Sequence, residues 1–156
     1  MLPELKKQIE TERWQLRRIL DTHRKLIEKC KNAEPTVDEL AALAAILHAF
    51  YNGIENIFKR IAITLDGGTP KGEFWHSALI EQMASPTNNR PVLLSADLNE
   101  SLQEYLDFRH LFRHAYTFDL HWSKMKHLVI ECENILWKFE EELDAFLNKF
   151  EDSALK

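Results

Sequence analysis

Leu5, Ile9, Leu16, Ile19, Leu26 and Cys30 follow one another in steps of three, four and seven, which predicts an amphipathic helix over residues 3–31. Asn32-Ala-Glu-Pro35 ends it, because proline cannot continue a hydrogen-bonded helix. Thr36 and Glu39 have the spacing of a capping box, and they open a second helix over residues 37–65. That helix is apolar on most sides (LAALAAILHAFYNGIENIFKRIAITL), a pattern that belongs in the centre of a bundle. Gly67-Gly68 stops it. A shorter helix is predicted over 71–84, then a loop through Ser85–Pro91, then a fourth helix capped by Ser95 and running towards Tyr116. The last helix, 119–151, has Asp119 as its N-cap. Its heptad seam is Trp122, Met125, Val129, Cys132, Leu136, Phe139, Leu143, Phe146 and Phe150. It reads as the inner seam of an intramolecular bundle. No strand-like alternation, repeat or low-complexity segment interrupts the pattern. The expected architecture is all-α: an up-and-down bundle of four long helices plus one short one, in a single domain over 1–156.

Composition narrows the setting. At 156 residues, 45% hydrophobic and 29% charged, the chain can bury a core of its own. Cys30 and Cys132 sit on apolar helical faces and form no C-x-x-C pair. Buried reduced thiols and a cytoplasmic location follow. The first residues, MLPELKKQIETERW, are charged and amphipathic rather than a signal peptide. The longest uncharged run, Leu40–Ile54, is too short to cross a bilayer.

A net charge of −5 excludes a general nucleic-acid coat protein, so any such chemistry must come from a local positive site. One stretch offers it. FRHLFRHAYTFDLHW, Phe108–Trp122, holds Arg109, Arg113, His110, His114 and His121, and Lys124, Lys126 and His127 follow. On a helical wheel Leu98, Leu102, Tyr105, Phe108, Phe112 and Tyr116 form the buried face, and Arg109 falls inside it. A buried guanidinium requires an acidic partner, an interface or an anionic ligand; Asp119 and Glu55 are the candidate carboxylates. Arg109 and His114 point about 140° apart on a regular helix. They converge only if the helix ends between them or if a second subunit completes the site.

Such a group suits phosphodiester cleavage. An imidazole titrating near neutrality can move protons, and an arginine fork can stabilise charge growing on phosphoryl oxygens. With the 2′-hydroxyl of RNA as nucleophile, no metal or other cofactor is needed. His110 and His114, four apart, also match a helical metal pair, but no HExxH glutamate accompanies them and no metal site is expected.

The string Arg109-His110-Leu-Phe-Arg-His114-Ala-Tyr116, closing with H-x-Y at a helix end in an all-α bundle, resembles the HEPN superfamily and, within it, the HepT-like ribonuclease toxins. The resemblance implies a homodimeric, metal-independent endoribonuclease, the toxin of a toxin–antitoxin pair, with two motifs meeting across the dimer interface. It implies Arg109 as the phosphate-binding residue, His114 as the acid/base and His110 as a polar helper. Many relatives carry asparagine at the position of His110. Tyr116 would be adenylylated by a nucleotidyltransferase antitoxin, and nucleotide bulk and charge beside the arginine would block RNA. The rival is a non-catalytic helical subunit, either an antitoxin or a nucleotidyltransferase-binding module.

The remaining polar positions have plainer readings. Arg113 is a solvated boundary residue or a second phosphate contact. His48, Asn52, Glu55 and Lys59 form a polar stripe on the second helix, read as solvated with a Glu55–Lys59 pair, or with Glu55 orienting Arg109. Trp75-His76 reads as packing near a loop, and His23 as a satisfied core histidine.

Overall fold

The computed structural model describes residues 2–154. Its helices are α1 (Leu2–Thr22), α2 (Arg24–Cys30), α3 (Val37–Leu65), α4 (Trp75–Met83), α5 (Ala96–His114) and α6 (Trp122–Ala154). A 3₁₀ turn at Thr117–Asp119 joins the last two. The described residues form an all-α bundle.

α3 is the central element, packed against α1, α4, α5 and α6. The predicted capping box forms: Glu39 N–H donates to Thr36 Oγ1 at 3.2 Å, and Thr36 N–H donates to Glu39 Oε1 at 3.0 Å. The chain leaves α3 through Gly67 at φ 83°, a left-handed conformation that glycine adopts without penalty. Gly53 lets α3 approach α1, since a Cβ there would lie 2.6 Å from Leu16 Cδ2. α6 buries Met125, Val129, Cys132, Leu136, Phe139, Leu143 and Phe146, with Trp122 and Phe150 half-buried at the ends of the seam. Cys30 and Cys132 are buried free thiols, and burial raises the pKa of both.

Four boundaries differ from the sequence pattern. The first long helix is dislocated at His23, which leaves helical geometry at φ −108°, ψ 14°. The apolar period runs through this point, because Ile27 N–H still bonds His23 O at 3.1 Å. His23 is half-buried beside the dislocation rather than in the core. α4 begins at Trp75 rather than at 71, because positive φ at Gly67, Gly68 and Gly72 keeps the preceding segment irregular. α5 is capped as expected, Leu98 N–H donating to Ser95 Oγ at 3.2 Å, but it ends at His114, short of Tyr116. Asp119 does not cap α6. Its carboxylate accepts from Tyr116 N–H at 3.4 Å within the 3₁₀ turn, and α6 starts three residues later.

Two buried arginines tie distant segments together. Arg13 on α1 donates to Glu140 at 3.3 Å and to Asp144 at 2.7 Å, both on α6. The Arg90 side chain is fully enclosed. Its Nε and Nη2 grip Asp66 at 2.7 and 2.8 Å, and its remaining donors reach the carbonyls of Gln82, Ser85 and Pro91. This fork fastens the loop after α4 to the end of α3.

Candidate functional site

α5 lays Arg109 against the polar stripe of α3. Arg109 Nε donates to Asn52 Oδ1 at 3.0 Å, so the partner is a neutral amide rather than Glu55 or Asp119. The Asn52 amide nitrogen then lies 3.0 Å from His48 Nε2. With Oδ1 committed to Arg109, the amide nitrogen is the donor and His48 Nε2 the acceptor, which puts the imidazole proton on Nδ1. Burial first, and then the charges of Arg109 and Arg113, hold His48 below the usual histidine range. The His48 ring also packs on Phe112, 5.2 Å between centroids.

Three enclosed polar atoms among the described residues have no hydrogen-bond partner: His48 Nδ1, the Tyr51 hydroxyl and Arg109 Nη1. All belong to this junction of α3 and α5. Burial and then the Glu55 carboxylate raise the Tyr51 phenol well above its ordinary value. Orphaned buried donors usually cost free energy, and they are concentrated beside the one arginine that the motif singles out.

One turn further along α3, Glu55 is buried and accepts from His76 Nδ1 at 2.7 Å, with Lys59 Nζ 3.7 Å from its other oxygen. His76 is therefore not mere packing. Its ring stacks on Trp75 at 3.7 Å, and Lys59 sits 5.1 Å over the Trp75 ring. His110, exposed on α5, meets the His76 ring edge-on at 6.1 Å between centroids. Adjacent α5 residues thus reach two points on α3: Arg109 through Asn52 directly, His110 through His76 and Glu55.

The other motif residues lie elsewhere. His114 is the last residue of α5 and exposed, and the helix runs unbroken from Arg109 to it. The two side chains therefore leave α5 in different directions. Arg113 is exposed. Tyr116 was expected on the buried face but is 70% exposed, because the helix has already ended; it stacks on Phe118 at 5.3 Å with the rings 5° from parallel. The histidines of the basic stretch do not share one environment. His127 Nε2 bonds Glu104 at 2.9 Å and, with Lys124 and Leu111, lines a groove of about 380 Å³ between α5 and α6. A larger concavity of about 450 Å³, lined by Arg17, Arg24, Glu133 and Trp137, contains none of the motif residues. Among the described residues no group of three or more His, Cys, Asp or Glu side chains is arranged to hold a metal ion, and no helix is long and apolar enough to cross a membrane.

The stripe His48-Asn52-Glu55-Lys59 was visible in the sequence, but its partners were not. Nothing local in the chain links Asn52 to Arg109 or Glu55 to His76.

The all-α helical bundle fits a HEPN-like fold. A family model described as HepT-like protein matches residues 42–150, and the chain belongs to that family. No curated protein and no solved structure matches it.

Proposed function

We propose that the chain is the toxin subunit of a toxin–antitoxin pair: a metal-independent endoribonuclease, acting in the cytoplasm as a homodimer of one HepT-like domain per chain. The observation that carries this reading is the R-x₄-H-x-Y string, Arg109 to Tyr116, at the end of α5 in a HepT-like chain. Arg109 binds the scissile phosphate and His114 moves a proton, with His110 as polar helper and Arg113 as a second phosphate contact. The unbroken helix between Arg109 and His114 supports a site shared by two protomers, since one protomer does not turn both groups to one point. A nucleotidyltransferase antitoxin adenylylates Tyr116, whose exposure leaves its hydroxyl open to such an enzyme.

The divergence of Arg109 and His114 within one protomer also favours a second reading, a non-catalytic subunit that binds a nucleotidyltransferase. One experiment separates the two. RNA cleavage by the purified chain should fall by about 100-fold or more in Arg109→Ala and in His114→Ala, with helicity by circular dichroism unchanged. Parent-rate cleavage by both variants would overturn the ribonuclease reading. An inert parent that binds a nucleotidyltransferase would establish the second.

A further inference from the structure

His76 stands outside the motif, on a different helix, yet its surroundings suit proton transfer. Its Nδ1 is engaged by a carboxylate that is 3% exposed and fixed within the helix at the bundle centre. A carboxylate oxygen accepts, so in the neutral ring Nδ1 carries the proton and Nε2 presents a bare lone pair. Nε2 makes no hydrogen bond among the described residues and is not one of the enclosed polar atoms. Trp75 stacked on one face restricts rotation of the ring, and Lys59 braces both the tryptophan and the carboxylate. His110, the residue after the phosphate-binding arginine, lies edge-on to the ring at 6.1 Å between centroids. A histidine used only as packing has no need of a buried carboxylate behind it.

We infer that His76 is a catalytic residue of the ribonuclease site, the general base at Nε2, with Glu55 as its positioning residue. The inference rests on the ribonuclease reading above and deepens it. Cleavage through the 2′-hydroxyl needs one group to take a proton and another to give one. His76 Nε2 takes the proton of the 2′-hydroxyl as the 2′-oxygen bonds to phosphorus. The bond from phosphorus to the 5′-oxygen breaks, and that oxygen takes a proton from the His114 imidazolium. The products are a 2′,3′-cyclic phosphate and a 5′-hydroxyl. Arg109 and His110 hold the phosphate beside His76, and the His114 that protonates the leaving oxygen belongs to the second protomer of the shared site.

A purely structural clasp between α4 and α3 makes different predictions. His76→Asn keeps a side-chain N–H near the place of Nδ1 but cannot shuttle protons. With an RNA oligonucleotide as substrate, its kcat should fall by about 100-fold with KM little changed and the urea midpoint near that of the parent. The limb of the pH–rate profile set by the base should vanish, and added imidazole should restore part of the rate to His76→Ala. Glu55→Gln should lower kcat and displace the same limb, since Glu55 bonds the ring, Lys59 lies against Glu55 and Trp75, and His110 meets the ring from α5. If His76→Asn cuts at the parent rate with the parent's pH profile while Arg109→Ala is inactive, this inference fails and the ribonuclease reading stands. If the parent cuts no RNA, both fail.

Discussion

Asn52 holds Arg109 and His48 at once, accepting from the guanidinium Nε and donating to the imidazole Nε2, each at 3.0 Å. One neutral amide thereby sets the orientation of an arginine and the tautomer of a histidine. Replacing it should disturb both. Asn52→Leu removes the acceptor of a charged donor and should cost roughly 2 kcal/mol by urea denaturation. Asn52→Asp keeps the acceptor for Arg109 but cannot donate to His48, so the His48 pKa should rise. Nitrogen-15 NMR titration of the ring reads this directly, and an unmoved His48 titration would refute the assigned tautomer.

His48 also makes a prediction about acid. In the folded chain it titrates below its ordinary value of 6.5, chiefly through burial, so the unfolded chain binds the proton more readily. Its contribution is therefore intact well above pH 6.5. It declines as the pH drops through that value towards the folded-state pKa, and levels off below it. Urea midpoints for His48→Gln should fall less steeply between pH 7.5 and 5.5 than those of the parent. A steeper fall would reverse the sign argued here.

The Tyr51 hydroxyl is enclosed without a partner. Removing an unsatisfied polar atom relieves a desolvation penalty, so Tyr51→Phe should be neutral or stabilising by up to about 1 kcal/mol. Thermal unfolding tests this. A loss of stability would show that the hydroxyl has a partner, either the nearby Glu55 carboxylate or a buried water.

Arg90 and Asp66 behave in the opposite way, because the side chains are 0% and 5% exposed and fully engaged. Asp66→Ala strands a buried guanidinium and should cost about 3–5 kcal/mol by chemical denaturation. Replacing both, as in Arg90→Met with Asp66→Leu, should recover much of the loss. Equal losses in the single and double variants would mean that the stranded guanidinium is not the source of the cost.

The bundle was legible where periodicity and caps carry the information. The α6 seam, the Thr36–Glu39 box, the Ser95 cap and the central place of α3 all follow from residues close together in the chain. The dislocation at His23 was not legible, because the apolar spacing passes through it unchanged. Tyr116 fitted the buried face of a helical wheel, but a wheel does not say where the helix stops. The arginine–histidine string was legible as a motif. Its supports were not, since Asn52–Arg109 and Glu55–His76 join residues 57 and 21 positions apart. Arg13 and Arg90 were missed for the same reason: a surface arginine and a fully paired internal one look alike until the partner helix is placed.

α4 has only nine residues, too few to persist as a free helix in water. Its first turn is pinned through His76 to Glu55. Its last carbonyls are taken up by Arg90 and by the backbone N–H groups of Leu93 and Leu94, both bonded to Met83 O. Both ends of α4 are thus anchored against the same long helix, one at Glu55 and the other through Arg90 at Asp66. Loosening the remote Asp66 anchor would then blur where the His76 ring stands, so a lesion at the far end of α4 would reach the Glu55–His76 contact as well as the stability of the fold.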